Sequence, residues 1–354
     1  MAEQNGYRVG VLGATGAVGS TILRVLEERD FPAGDVVPLA SARSAGNKLD
    51  FRGGKVEVRE ISEEAVEGLD LVLSSAGGKV SAEWAPTIVD AGGVVVDNTS
   101  YWRMHPDVPL VVSEVNPDAA ESHNGLIANP NCSTMQMMVA LAPIQRRVGI
   151  ERIVVSTYQS VSGTGQRAVD ELTNQAHGLL HGMEVEAEVY PHRIAFNVLP
   201  QVETFKDGDD YTTEERKLMA ETRKILELGD DEVGISATCA RVPVFVGHSQ
   251  SINVQTREPL SPEECRELLS AAPGALVVDA PGEGIYPMST DAAGRDEVLV
   301  GRIRRDPSHR RCLNLWVVGD NLRKGAATNA VQVAEVLHRR DLIRVPAGAA
   351  ALAV

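Results

Sequence analysis

Apolar residues first concentrate at Tyr7 to Leu12, a short strand-like run that leads directly into Gly13-Ala14-Thr15-Gly16-Ala17-Val18-Gly19. Past the glycines, Val18, Ile22, Val25 and Leu26 recur at helical spacing, which predicts an amphipathic helix. Further short apolar runs stand at Val36 to Ala40, Leu69 to Leu73, Val94 to Val96 and Leu126 to Ala128, divided by loops and by a helical stretch near Ala82 to Ala91. Strands and helices alternating in this way predict a parallel α/β sheet.

After Cys132 the pattern changes. Longer β-type stretches appear at Arg152 to Val161, Ile235 to Thr256, Val298 to Arg304 and Cys312 to Val318, the texture of an α+β domain with a mixed sheet. Ser261-Pro262-Glu263-Glu264 is a capping box with Pro at the first helical position. A last helix spans roughly Lys324 to Arg339 and is expected to pack on the first domain. With 354 residues the chain exceeds one hydrophobic core. The expected division is residues 1–130 plus a helix over about 324–340 as one domain, and residues 131–323 as the other.

Composition narrows the function. Hydrophobic residues make up 43% and charged residues 23%, the balance of a folded globular chain. A net charge of -15 opposes nucleic-acid or anionic-lipid binding, so no nucleic acid and no membrane is expected as a partner. The N-terminus has no charged segment leading into an apolar one, and the Ala-rich Ala347 to Val354 is too short to span a bilayer. A cytoplasmic location is the expectation. Cys132, Cys239, Cys265 and Cys312 lack CxxC spacing, which fits neither a disulfide scaffold nor a zinc site.

The glycine turn sits between a strand and a helix, where glycine lets the backbone approach a pyrophosphate and the helix N-terminus supplies donors. Gly13, Thr15, Gly16, Ala17 and Val18 are the candidate contacts. The spacing is GxxGxxG, a variant of the usual fingerprint, and glycine also ends strands for purely steric reasons. After the second strand, where an acid would hold ribose hydroxyls, the chain reads Ser41-Ala42-Arg43-Ser44. A guanidinium with the hydroxyls of Ser41 and Ser44 suits a 2′-phosphate that a carboxylate would repel. NADP is the expected cofactor; a solvated polar loop is the alternative reading of these residues.

Asn129-Pro130-Asn131-Cys132-Ser133-Thr134 precedes the helix-compatible Met135 to Leu141. That sets a thiol at a helix N-terminus, where thiolate is favoured. Spacing alone does not separate a catalytic cysteine from a structural one.

These segments, with Asp97-Asn98-Thr99-Ser100, Tyr158-Gln159-Ser160-Val161-Ser162-Gly163, Arg241-Val242-Pro243 and Gly247-His248-Ser249, stand in an order that resembles the aspartate-semialdehyde dehydrogenase family over nearly the whole chain. The resemblance implies a homodimer, each subunit joining a Rossmann-type dinucleotide-binding domain to a catalytic and dimerisation domain. It implies Cys132 as nucleophile, Gln159 as orienting group and His248 as the residue that moves protons. It further implies Arg241 on the substrate carboxylate, Glu214 on its amine, Arg103 and Lys217 on phosphate, and Asn131 beside the substrate. Ser162, Gly163 and Asn321 would join the cofactor site. The implied reaction reduces aspartyl phosphate to the semialdehyde, a step towards lysine, methionine, threonine and diaminopimelate. Two departures stand out: Tyr101-Trp102 replaces the usual small-plus-Phe pair before Arg103, and Gly247 stands where many relatives have Ala.

The chemistry asks for such residues. A thiolate can add to an aldehyde and carry the acyl group as a thioester, and a histidine is the side chain suited to a proton transfer near neutrality. Arg241 and His248 are seven apart, so on one continuous strand they would face opposite sides; a bend near Pro243 or Gly247 is required. Lys217 lies in Thr213 to Leu226, an amphipathic stretch where a lysine is often only solvated. The competing readings are another acyl-phosphate reductase, of the N-acetyl-glutamyl-phosphate or glyceraldehyde-phosphate type, and a catalytically silent NADP-binding relative.

Overall fold

The computed structural model describes residues 6–346. The segment Ala347 to Val354 lies outside the described residues, among which no helix is long and apolar enough to cross a membrane. The chain divides into two compact units. Among the described residues, one takes the chain up to Asn131 together with the part from Ala326 to residue 346, and the other is Cys132–Gly325.

In the first unit, β1 (Tyr7–Leu12) passes through the glycine turn into α1 (Ala17–Glu28) and then β2 (Ala33–Ala40). A hairpin of β3 (Lys48–Phe51) and β4 (Gly54–Glu57) follows, then the short β5 (Arg59–Glu60) and α2 (Glu63–Val66). Next come β6 (Leu71–Ser74), α3 (Gly78–Asp90), β7 (Val94–Asp97) and β8 (Leu126–Ala128). The six-stranded sheet runs β5-β2-β1-β6-β7-β8, with every neighbouring pair parallel. Its central strands carry apolar residues on both faces because helices cover both. The helical face foreseen in α1 is realised, with Ile22, Val25 and Leu26 fully buried; each contributes about 1.5–3 kcal/mol on burial. The helix Thr328–Arg339 buries Ala330, Val331, Ala334 and Leu337 in the same core.

The second unit opens with α4 (Cys132–Val148), β9 (Ile150–Gln159) and α5 (Gln166–Leu180). It continues with α6 (Thr213–Ile225), β10 (Gly234–Arg241), β11 (His248–Thr256), α7 (Pro262–Ser270), β12 (Ala275–Val277), α8 (Ser289–Ala292), β13 (Val298–Arg305) and β14 (Cys312–Gly319). The sheet order is β10-β9-β11-β14-β13-β12; β9 with β10 and β12 with β13 are parallel and the remaining pairs antiparallel. The mixed sheet expected from sequence is present. The apolar stretch Ile235 to Thr256 is two strands rather than one, interrupted from 242 to 247 by a turn that contains Pro243 and a left-handed Gly247 at φ 95°. The last helical segment begins with a π-helical turn, Arg323–Ala327, before Thr328–Arg339.

Candidate active site

Cys132 is the first residue of α4, so its sulfur lies at the positive end of a seventeen-residue helix. It is partly exposed, whereas Cys239, Cys265 and Cys312 are buried. Burial pushes the Cys265 thiol up to about 12 and those of Cys239 and Cys312 upward as well, which disfavours the thiolate form at those three. Two amides pin the helix behind the sulfur: Gln250 Nε2 donates to the Ser133 carbonyl at 2.7 Å and Gln136 Nε2 to that of Gly319 at 3.1 Å. Gly325, in the π-helical turn, lies so near that a Cβ there would stand 2.8 Å from the Cys132 Cβ.

The sheet gathers the other candidates at one end. Because β9 and β10 are parallel, their last residues Gln159 and Arg241 are partners in register. Because β11 runs antiparallel to β9, its first residue His248 lies at the same end, with Ser249 paired to Tyr158. The turn at 242–247 supplies the bend that the spacing of Arg241 and His248 required. Both side chains converge on Gly163, where a Cβ would stand 3.3 Å from Arg241 Nη1 and from His248 Nε2. Any larger residue at 163 would fill that space.

Each group is held by named partners. Gln159 Nε2 donates to Glu214 Oε1 at 2.9 Å, and both side chains are buried. Arg241 donates from Nη1 to the Ser160 carbonyl at 2.8 Å, and its guanidinium lies 5.8 Å over the Tyr190 ring, within cation–π range. Its Nε is buried with no hydrogen-bond partner. Unpartnered buried donors are costly, so this N–H is one a bound carboxylate would satisfy.

His248 is 0% exposed. Its Nδ1 accepts the Ser160 backbone N–H at 3.0 Å and lies 3.0 Å from Ser160 Oγ. Its Nε2 has no partner. Burial, and then the Arg241 charge, hold its pKa well below the ordinary histidine value. Asn321 supports the arrangement: its Oδ1 accepts from Gly247 N–H at 2.9 Å and Ser160 Oγ–H at 3.0 Å, while its Nδ2 donates to Ser162 Oγ at 3.0 Å. Asn321 and Ser162, expected to face a cofactor, are buried and spend these polar groups on one another.

The proposed phosphate ligands are more engaged than sequence suggested. Lys217 pairs with Glu203, with Glu214 Oε2 at 3.9 Å, on the charged side of α6. Arg103 is buried, donating from Nε to the Asn129 carbonyl at 2.9 Å and from Nη2 to that of Asn98 at 2.8 Å. It thus braces the segment leading to the buried Asn131. Tyr190 and Gly325 were not singled out in the sequence, where a lone tyrosine or glycine carries no spacing signal, and Ser160 entered only as part of the segment Tyr158 to Gly163 without a role of its own.

In the first unit the glycine turn has the shape a pyrophosphate requires. Gly13 has φ 83°, and a Cβ on Gly19 would collide with the Gly13 carbonyl at 2.1 Å. Gly16 caps α1 without any side-chain acceptor, leaving the first-turn amides of Ala17 and Val18 for an anion. Thr15 Oγ1 stands 3.5 Å from Ser44 Oγ, so the turn and the segment Ser41 to Ser44 lie side by side. Ser41 and Arg43 are exposed there. The residues present fit a dinucleotide.

Comparison with known proteins agrees. Residues 8–123 match the model of the semialdehyde dehydrogenase NAD-binding domain, and residues 141–324 that of the semialdehyde dehydrogenase dimerisation domain. The aspartate-semialdehyde dehydrogenase of Aquifex aeolicus is 53% identical over 342 residues, 96% of this chain and 100% of that relative. The crystal structure of aspartate semialdehyde dehydrogenase II from Vibrio cholerae, complexed with ASA, is 48% identical with TM-score 0.91, covering 94% of this chain and 98% of that one. The Candida albicans enzyme, solved with NADP, is 26% identical with TM-score 0.72 over 95% of this chain and 99% of its own. From its glycine turn to its Cys132 helix, the chain belongs to the aspartate-semialdehyde dehydrogenase family.

Proposed function

We propose that the chain reduces L-4-aspartyl phosphate to L-aspartate 4-semialdehyde with NADPH, releasing phosphate, through a thioester on Cys132. The observation that carries the substrate assignment is the pair of opposite charges held at one end of the sheet. Buried Glu214, reached by Gln159, suits an ammonium, and Arg241 with its unpartnered Nε suits a carboxylate. A free amino acid carries both groups. An N-acetylated substrate would offer no ammonium to Glu214, which disfavours that class of reductase.

The chain's own residues then divide the work. Cys132 Sγ bonds to the acyl carbon as the C–O bond to phosphate breaks, the phosphate leaving with the electron pair. Gln159 and Arg241 orient the acyl group, and His248 Nε2 faces the carbonyl oxygen. Arg103, Lys217 and Asn131 serve the phosphate side. The bound nicotinamide cofactor supplies hydride for the reduction. Gly13, Thr15, Gly16, Ala17 and Val18 hold its pyrophosphate, and Ser41, Arg43 and Ser44 its 2′-phosphate, which is the basis for preferring NADPH to NADH. The match to a dimerisation-domain model supports a homodimer as the working form.

The test is phosphate-dependent reduction of NADP by purified protein with L-aspartate semialdehyde, beside Cys132→Ala and Arg43→Ala and with NAD as the comparison. Turnover lost in Cys132→Ala, and NADP preference lost in Arg43→Ala, are the expected results. No turnover by folded wild type would sink the assignment, and light scattering at assay concentration would sink the dimer if it returned a monomer mass.

A further inference from the structure

We infer that His177 and His181 form a surface site for one transition-metal dication, Cu²⁺ above all, at the end of α5. The inference goes beyond the proposed reaction and does not depend on it.

His177 lies in α5 (Gln166–Leu180) and His181 is its C-cap, so the two stand four residues apart on one face, and both are exposed. Their ring centroids lie 4.3 Å apart, with the planes tilted by 36°. An ion bonded at about 2.0–2.1 Å to two imidazole nitrogens holds those nitrogens roughly 3–4 Å apart. The rings already stand near that separation. A bound ion also lies in the plane of each ring, which tilted planes allow because they intersect.

The proton of His181 is where a metal ligand needs it. Its Nδ1 lies 2.8 Å from the His177 carbonyl oxygen. A carbonyl can only accept, so Nδ1 carries the hydrogen and Nε2 of the neutral ring presents a lone pair. Metal-binding imidazoles are commonly oriented by such a bond from the other nitrogen to a backbone carbonyl. Among the described residues no hydrogen bond or ion pair engages the Nε2 of either ring.

The backbone beneath the pair is fixed. Gly182, at φ 70°, ends the helix. Its N–H donates to the Leu179 carbonyl at 3.1 Å and the Met183 N–H to that of Gly178 at 2.9 Å, the two bonds of a Schellman motif. The field there suits a cation, because the C-terminus of a fifteen-residue helix is its negative end. Asp170 and Asn174 precede the histidines on the same stripe of α5 and line a hollow of about 410 Å³, whose walls carry five carboxylates against Arg167.

The ligand set selects the ion. Among the described residues no cluster of three or more His, Cys, Asp or Glu could hold a metal, so water completes the coordination. Two nitrogens offer nothing to Mg²⁺ or Ca²⁺, which take oxygen ligands. Imidazole suits Cu²⁺, Ni²⁺ and Zn²⁺, and affinity peaks at Cu²⁺. The other side of α5 buries Ala168 and Leu172 in a core, so replacing the histidines removes no core contact.

The experiment is calorimetric titration of Cu²⁺ into tag-free, full-length Cys132→Ala protein at neutral pH, the thiol being removed because it is itself a copper ligand. The expected result is one strong site per chain, weaker for Ni²⁺ and Zn²⁺ and absent for Mg²⁺, with two imidazole nitrogens in the electron paramagnetic resonance of the copper. His177→Ala and His181→Ala, added singly, should each weaken the site at least 10- to 100-fold, the usual loss when even an outer partner of a metal ligand is removed. Circular dichroism should be unchanged. No strong site in the parent, coupling to one nitrogen only, or an unaltered site in folded His177→Ala overturns the inference. If His181→Ala fails to fold, His177→Ala decides alone, because among the described residues its ring makes no hydrogen bond.

Discussion

Gly325 packs against Cys132 with no room for a methyl group between them, since a Cβ at 325 would stand 2.8 Å from the Cys132 Cβ. Position 325 lies in the π-helical turn Arg323–Ala327, and such turns recur at functional sites. Gly325→Ala must displace either that turn or the first residue of α4. Overpacking of this kind costs about 1–3 kcal/mol, and a nucleophile moved by ~1 Å loses on the order of 10² in rate. Turnover and the rate of Cys132 alkylation by iodoacetamide, measured on folded Gly325→Ala, should both fall. Wild-type values for both would show that the contact does not set the sulfur.

Glu214 is buried and accepts a hydrogen bond from Gln159. Glu214→Gln keeps an acceptor for that bond and removes the charge. A hydrogen bond to a charged group contributes about 1.5–3 kcal/mol, so KM for aspartate semialdehyde should rise roughly 10- to 100-fold. Cys132 alkylation should be unchanged. An unaltered KM would remove Glu214 from amine recognition.

Tyr190 lies under the Arg241 guanidinium at 5.8 Å. If the ring fixes the plane of the fork, Tyr190→Ala should lower kcat/KM by roughly 3- to 30-fold, the range of a cation–π contact, while Tyr190→Phe keeps the ring and most of the activity. Equal losses in the two variants would instead point to the hydroxyl, which donates to Thr164 Oγ1 at 3.0 Å.

Stability should depend on pH through the buried histidines. Burial lowers the pKa of His123, and burial with the Arg241 charge lowers that of His248. Unfolded, each titrates near about 6.5. Below that value the unfolded chain takes up protons that the folded chain refuses, so stability falls as pH drops; above it both states are neutral and the effect vanishes. The urea midpoint should decrease from about pH 7.5 to about pH 5.5, and His248→Gln should show a smaller decrease. Equal decreases in both proteins would mean that His248 does not titrate between the two states.

Much of this site was legible because its signals are local. The strand, glycine turn and helix of the cofactor segment lie within Tyr7–Glu28 and obey simple spacing. Cys132 at a helix start was likewise a matter of neighbours. The seven-residue gap between Arg241 and His248 even required a turn, which Gly247 supplies. The Ser160–His248–Asn321 network was not legible, because three strand ends distant in sequence form it and no periodicity marks a hydrogen bond between them. Arg103 shows the reverse limit: its residue type suggested a phosphate ligand, but only the fold shows two of its donors on the Asn98 and Asn129 carbonyls.

The first unit is sewn shut by the last part of the chain. Ala330, Val331, Ala334 and Leu337 fill the same core as Val9, Ile22 and Leu71, yet they are synthesised only after the whole of Cys132–Gly325. A nascent chain stalled before Ala326 therefore carries an N-terminal sheet with one side of its core bare, while the second unit already has all its strands. Vectorial synthesis thus favours the second unit as the first to become protease-resistant, because all its strands precede the helix that closes the core of the first.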